Sequence, residues 1–354
     1  MTKSSALVIG ATGITGYNTA TALVKDGWTV YGLSRSPAVQ IPGVTHLYAD
    51  ILDPESLKVA LAGVEISHVF FATWSRQATE AANCEVNAAM LGNVLEEVGS
   101  AGNLEHVALV TGLKHYLGPF EAYATTPVET PFRESQARMP TQNFYYDQED
   151  LLFAAAERYD FTWSVHRAST IIGWAIGNAM NMGVTLAVYA SICQATKRPF
   201  VFPGSPNQWD GIVDVVDARL LGDHLRWAAT APMAKNQAFN VSNGDVFRWR
   251  QMWPKVAANF DLEVPEYKGY PTPLVDQMVD ANAEWRSIVE ANKLVNYEAT
   301  HLASWWHSDA DLGRQLETFA DMSKSRECGF LEYQSSEKSF SDLFAQLREA
   351  RIIP

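Results

Sequence analysis

The chain has 354 residues, is 47% hydrophobic, and sets 27 Lys and Arg against 40 Asp and Glu for a formal net charge of −13. That is enough apolar chain for a large core, in one extended domain or two lobes. The acidic balance argues against nucleic acid or an anionic membrane as a partner. Three widely spaced cysteines, Cys84, Cys193 and Cys328, show no metal-ligand spacing and fit a reducing compartment. A strand pattern beginning at Ala6 argues against a signal peptide, and the apolar stretch from Met182 to Cys193 is too short to span a bilayer. The expectation is a cytoplasmic protein without a membrane segment or a bound metal.

In chain order, Ala6–Ile9 is a short apolar run ending in Gly10-Ala-Thr-Gly-Ile-Thr-Gly16, followed by a helical pattern to about Lys25. Strands are predicted at Trp28–Leu33, Val44–Ala49, His68–Ala72, His106–Val110 and Phe161–Val165. Helices are predicted after Asp53-Pro54, over Thr79–Ser100 and over Asn143–Tyr159. The Pro-rich polar stretch from Gly118 to Thr141 reads as a loop. Strands alternating with helices, and nearly continuous apolar strands, imply an α/β fold: a Rossmann-type, doubly wound parallel sheet covered on both faces. After about residue 175 the alternation loosens into helices near 178–195, 214–229 and 247–260, short extended pieces such as Ala238–Val241, and an amphipathic C-terminal helix with a tail over Phe340–Pro354. This suggests a dinucleotide-binding domain over 1–175 and a smaller, mainly helical substrate lobe over 176–354, interleaved with the sheet. Trp249, Trp305 and Trp306 are expected to pack that lobe.

Gly10, Gly13 and Gly16 lie between a strand and a helix, where missing Cβ atoms let backbone approach a pyrophosphate and the helix N-terminus presents free N–H groups. Thr12 and Ile14 belong to the same loop. An acid ending the second strand would select NAD, but that strand ends Leu33-Ser34-Arg35-Ser36. Arg35 offers a planar fork suited to a phosphate and Ser34 adds a hydroxyl, so NADP(H) is expected. Asp50 and Ile51, after the third strand, suit the adenine. Thr73 and Trp74 after the fourth strand, Thr111 ending the fifth and Ile171 past the sixth complete the expected cofactor contacts.

Reductases of this fold usually carry Tyr-x-x-x-Lys on one helix. Here no tyrosine has a lysine four residues on. Lys114 instead follows the fifth strand, at the sheet edge where ligands bind, and Tyr145 and Tyr146 open the helix that comes after the long loop. A lysine ammonium beside a tyrosine favours the phenolate, so the usual chemical pair is reassembled from two elements. Spacing leaves either tyrosine open as the partner. The acids four residues beyond them, Glu149 and Asp150, cannot replace the missing lysine's charge.

These segments, Leu33-Ser-Arg35, Phe71-Ala-Thr-Trp74, Thr111-Gly-Leu-Lys-His-Tyr-Leu-Gly-Pro-Phe120, Asn143-Phe-Tyr-Tyr-Asp-Gln-Glu-Asp150, Trp163-Ser-Val-His-Arg167, Trp209-Asp-Gly211 and Ala238-Phe-Asn-Val-Ser-Asn-Gly-Asp245, run through most of the chain. With them it resembles the progesterone 5β-reductase/iridoid synthase-like branch of the extended short-chain dehydrogenases. The resemblance implies NADPH-dependent 1,4-reduction of the activated C=C bond of an enone or enal. The enolate would be held by Tyr145 with Lys114 nearby, and Tyr146 one residue away is the fallback. It further implies that Leu117, Phe120, Tyr146 and Asn181 line the substrate pocket, and a homodimer is its usual assembly. The chain departs from the plant pattern at Ala168-Ser169-Thr170, where plant members usually read Pro-Gly-Asn, and at Leu117, where methionine is common. Those departures point to a bacterial member with its own small apolar enone or enal substrate. Two other readings remain: a sugar-nucleotide epimerase or dehydratase on the same fold, which the missing Tyr-x-x-x-Lys disfavours, and a non-catalytic NADP-binding redox sensor, which retention of Lys114 and Tyr145 disfavours.

Overall fold

The computed structural model describes residues 4–36, 39–119, 128–178 and 180–354. Its strands are β1 (Ser5–Ile9), β2 (Thr29–Ser34), β3 (Val44–Tyr48), β4 (His68–Phe71), β5 (His106–Gly112), β6 (Thr162–Ala168), β7 (Thr170–Ile172), β8 (Val215–Asp217) and β9 (Gln237–Val241). Seven of them form one sheet in the order β3-β2-β1-β4-β5-β6-β9, with every neighbouring pair parallel. The helices of the first half are α1 (Ile14–Lys25), α2 (Pro54–Leu61), α3 (Glu80–Ser100), the single turn α4 (Lys114–Leu117) and α5 (Phe144–Tyr159). Farther along come α6 (Met182–Thr196), α7 (Pro206–Asp210) and α8 (Ala218–Thr230).

Alternation along the strands builds both faces. Leu7 and Ile9 of β1 point into a core with Leu91 and Val94 of α3 and Leu152 of α5. Ala6 and Val8 point the other way, toward Leu23 of α1 and Leu221 and Leu225 of α8. A strand buried on both faces has no polar side to show, which is why these segments read as unbroken apolar runs. Local signals set the helix starts. Asp53 caps α2 ahead of Pro54, Thr79 caps α3 and Asn143 caps α5, each by a side-chain oxygen accepting a first-turn N–H.

Beyond residue 175 the structure corrects the looser expectations. Ala238–Val241 belongs to β9, which pairs with Ser164–Ala168 of β6 and returns the second half of the chain to the main sheet. The helix expected over 214–229 is preceded by β8, which pairs with β7 in a small second sheet. Asp217 ends β8 and caps α8 through the Arg219 N–H at 2.9 Å. The apolar Met182–Cys193 stretch is a core helix with every residue buried, packed by Trp249, Trp253, Trp285 and the C-terminal helix Ser336–Glu349. Trp249 and Trp305 do pack this lobe, whereas Trp306 is 41% exposed and carries the Arg76 guanidinium 4.0 Å above its ring. No described helix is long and apolar enough to cross a membrane.

Candidate active site

A cleft of about 990 Å³ runs along the carboxyl edge of the sheet. Turns following β1 through β6 form one wall, and segments at 176–178, 180, 297–301 and 307–314 close the other. At one end the backbone is shaped for a dinucleotide. Gly10 has φ +77°, and a Cβ there would lie 2.7 Å from the Thr73 Cβ and 2.9 Å from the Ala72 carbonyl oxygen. Gly16 lies below the loop, where a Cβ would come within 2.1 Å of the Gly10 carbonyl oxygen. Side chains at these positions would displace the loop; glycine lets α1 approach β1 with its N-terminal N–H groups facing the cleft. Thr12, Gly13 and Ile14 line the same wall, and Asn178 reaches across, its Nδ2 lying 3.8 Å from where a Gly13 Cβ would be. Ser34 and the exposed Arg35 border the cleft at the end of β2, with Asp50 and Ile51 beyond β3. The Asp50 carboxylate accepts the Leu52 N–H at 3.0 Å, which holds its turn. The glycine cradle and the helix N-terminus suit the pyrophosphate of a dinucleotide.

At the other end Thr73, Trp74, Thr111, Ile171, Lys114 and Tyr145 all line the cleft. Their placement rests on one carboxylate and one amide. Glu80, at the start of α3, ion-pairs with the Lys114 ammonium and accepts the Phe144 backbone N–H at 3.0 Å and the Asn83 amide at 3.0 Å. Asn143 donates to the Lys114 carbonyl oxygen at 2.8 Å while its own oxygen caps the Tyr145 N–H at 3.1 Å. Helix α3, the turn α4 and helix α5 are thereby clamped together, and the lysine and tyrosine line one cleft from two different elements. The Lys114 ammonium sits 4.7 Å above the Phe144 ring, which stacks on Trp74 at 5.6 Å. A Cβ on Gly112 would lie 3.4 Å from the Tyr145 hydroxyl and 3.2 Å from the Ala168 carbonyl oxygen. Glycine at 112 thus leaves the space into which the phenol points.

Beneath this pair lies a buried charge cluster. Glu149, four residues after Tyr145, pairs with Arg138 at 2.9 Å, Arg167 at 3.5 Å and His115 at 3.5 Å. Burial pushes its carboxyl up, but His115 and the two guanidiniums outweigh that and hold it below the usual range. The position where lysine stands in related reductases is therefore an ionised acid built into the support of the site.

Four expected site residues lie outside the cleft. Gly16 packs under the loop, as above. The Tyr146 hydroxyl donates to the His115 carbonyl oxygen at 2.6 Å and accepts the Met139 N–H at 3.0 Å, so it is spent on holding two backbone segments. Leu117 is buried with Leu113, Tyr116, Phe132 and Ala320 in a separate apolar cluster. Asn181 is fully buried, capping α6 through the Val184 N–H at 3.4 Å and donating to the Gly173 carbonyl oxygen at 2.8 Å. Phe120 falls outside the described residues. The sequence reading missed Asn178, Glu80 and the far wall of the cleft: Met180, Tyr297, His301, His307, Asp311 and Arg314. Only Glu80 had a visible signal, an acid in the first turn of a helix abutting the lysine-bearing turn. The far-wall residues come from the helical half of the chain, where no motif marks them.

This sheet order, the glycine loop and a lysine and tyrosine at the carboxyl edge define an enzyme of the extended short-chain dehydrogenase class with a nicotinamide dinucleotide site. Residues 45–354 match the PRISE-like Rossmann-fold domain, and the chain belongs to that family. It is 40% identical to an (S)-8-oxocitronellyl enol synthase of Nepeta racemosa, over 99% of this chain and 94% of the relative. It is 38% identical to a 3-oxo-Δ(4,5)-steroid 5β-reductase of Arabidopsis thaliana, again over 99% and 94%. These relatives make the chain an oxidoreductase. Among solved structures it is similar to the UDP-glucose 4-epimerase of Thermotoga maritima, with a TM-score of 0.67, 14% identity and coverage of 98% and 99% of the two chains. At that identity the likeness concerns the fold alone.

Proposed function

We propose that this enzyme reduces the C=C bond of an α,β-unsaturated ketone or aldehyde with NADPH, giving the saturated carbonyl compound and NADP+ with uptake of one proton. The observation that carries this reading is the convergence of Tyr145 and Lys114 at one end of a cleft whose other end is a dinucleotide cradle. The cofactor, when bound, supplies hydride to the β-carbon. The chain's own residues do the rest. The Tyr145 hydroxyl donates to the carbonyl oxygen and strengthens that bond as negative charge develops there, which is how an oxyanion donor lowers a barrier. Lys114, its charge shared with Glu80, adds a positive field and stays in place through the ion pair. Trp74 and Phe144 form a stacked apolar wall beside the Lys114 ammonium. The proton on the α-carbon comes from solvent. Arg35 and Ser34 favour NADPH over NADH through the 2′-phosphate.

The test follows NADPH absorbance with cyclohexenone, a linear enal and progesterone, with NADH as control and product analysis by mass. Consumption that requires both NADPH and an enone, with the saturated product formed, is expected. Tight NADPH binding with no turnover of any of the three would sink the reading.

A further inference from the structure

The far end of the cleft is polar, and its polar groups are arranged around a chargeless whole. Arg314 and Asp311, both buried, form an ion pair three residues apart in sequence. The Thr170 hydroxyl stands between them, donating to the Asp311 carboxylate at 3.5 Å and accepting from the Arg314 guanidinium at 3.4 Å. Both are long for hydrogen bonds, so this hydroxyl is incompletely satisfied. His307 lines the same wall, and its buried Nδ1 has no hydrogen-bond partner among the described residues. Burial holds its imidazole below the usual pKa and hence neutral. A buried polar atom in the condition of the His307 Nδ1 costs stability unless something completes it.

The cluster is also at a defined remove from the chemistry. The Tyr145 hydroxyl and the Ala168 carbonyl oxygen converge on the space beside Gly112. Thr170 lies two residues of extended chain beyond Ala168, roughly 7 Å. We propose that the substrate is an enal or enone bearing a neutral hydroxyl group several carbons from its C=C bond, seated among Thr170, His307, Asp311 and Arg314. A hydroxyl both donates and accepts, which matches a site offering a carboxylate, a guanidinium and a neutral imidazole. A carboxylate would bring a second negative charge against Asp311, whose partner is already used. Asp214, buried beside the cluster, accepts the Ala320 N–H at 2.9 Å, and burial pushes its carboxyl up to about 7, so a further anion nearby is penalised again. A wholly apolar tail would leave the cluster unsatisfied and dry, and discrimination of that kind is large.

This inference rests on the enone reductase reading, and the experiment separates the two. Initial rates are measured with trans-2-octenal, 8-hydroxy-trans-2-octenal and the corresponding 8-carboxylic acid. In parallel, quenching of tryptophan fluorescence, with Trp74 in the cleft wall, is titrated with 1-octanol and 1,8-octanediol in the presence of NADP+. The hydroxy-enal should exceed the plain enal in kcat/KM by about 10-fold or more, and the diol should bind tighter than the mono-alcohol. Thr170→Val and His307→Phe should each pull the ratio of the two kcat/KM values toward one, whatever happens to the absolute rates. Equal kcat/KM for the two enals in the wild type, a ratio unchanged in both variants, or preference for the acid would each overturn the proposal. Diol preference without turnover of any enal would keep the polar subsite and defeat the reductase reading instead.

Discussion

The two ends of the cleft are built in different ways. The dinucleotide end is made of backbone: turns that follow β1 through β4, glycines where a Cβ would collide, and a helix N-terminus. The opposite end, where we place the substrate, is made of side chains from residues 170, 176–178, 180, 297–301 and 307–314, brought together by packing against α6 and its neighbours. A backbone site is encoded within a few consecutive residues, so one motif announces it. A side-chain site assembled from distant segments leaves no local pattern, and it can change chemistry without disturbing the fold. Lys114 and Tyr145 sit at the join, one from each of two elements held by Glu80 and Asn143.

The largest effect should come from the join. Tyr145→Phe removes the proposed oxyanion donor and should cut kcat by about 100- to 1,000-fold, with the NADPH dissociation constant nearly unchanged by fluorescence titration. Tyr146→Phe is the matched control. It loses a hydroxyl bound at 2.6 and 3.0 Å to two backbone groups, and should lower stability by about 1–3 kcal/mol while turnover persists. If Tyr146→Phe abolishes turnover and Tyr145→Phe does not, the tyrosine assignment falls.

Glu80→Gln comes next. It keeps an acceptor for the Phe144 N–H but leaves the Lys114 ammonium buried without its ion-pair partner. A loss of about 3 kcal/mol in urea unfolding is expected, with a fall in kcat and a changed kcat–pH profile. An unchanged profile together with unchanged kcat would mean that the clamp is scaffolding only. Arg35→Ala probes the opposite end. Loss of a charge-assisted contact to a phosphate is worth about 1.5–3 kcal/mol, so NADPH should weaken by roughly 10- to 100-fold while NADH barely moves. Equal weakening of both cofactors would remove Arg35 from the phosphate site.

The same contrast explains what could be read in advance. The parallel, doubly wound sheet, β9 excepted, follows from alternating strands and helices with apolar runs. Twelve of the expected cofactor contacts line the cleft because each is tied to the end of a particular strand. Leu117 and Asn181 misled because motif position does not tell which way a side chain turns. Leu117 faces inward from the one-turn helix α4, and Asn181 satisfies the orphan N–H groups of α6. Thr170 and His307 were invisible as a pair because 137 residues separate them and only the pairing of β7 with β8 and the packing of the 305–312 helix bring them to one wall.

The smallest effect per residue concerns how the two ends bury polarity. Below the join, between β5, β6 and α8, buried imidazoles are linked into a complete chain. His106 bonds the Thr162 and Ser164 hydroxyls at 2.8 and 2.9 Å, Ser164 bonds His166 at 2.8 Å, His166 bonds His224 at 2.9 Å, and His224 bonds Ser325 at 3.1 Å. Burial lowers the pKa of all three histidines, that of His224 to about 3. A depressed histidine pKa means that the unfolded chain binds the proton first. The stability these groups confer is whole above about pH 6.5, the unfolded value, and is lost as pH falls from there toward the folded value. Each such histidine costs about 1.4 kcal/mol per pH unit over that window. Urea unfolding at pH 7.5 and 5.5 should therefore show a loss of a few kcal/mol, and His224→Gln should make the loss smaller. Equal stability at the two pH values would mean that the imidazoles accept protons in the fold. The hydrogen-bonded chain would then be as incomplete as the polar end of the cleft, and the contrast between a satisfied sheet side and an unsatisfied substrate side would no longer hold.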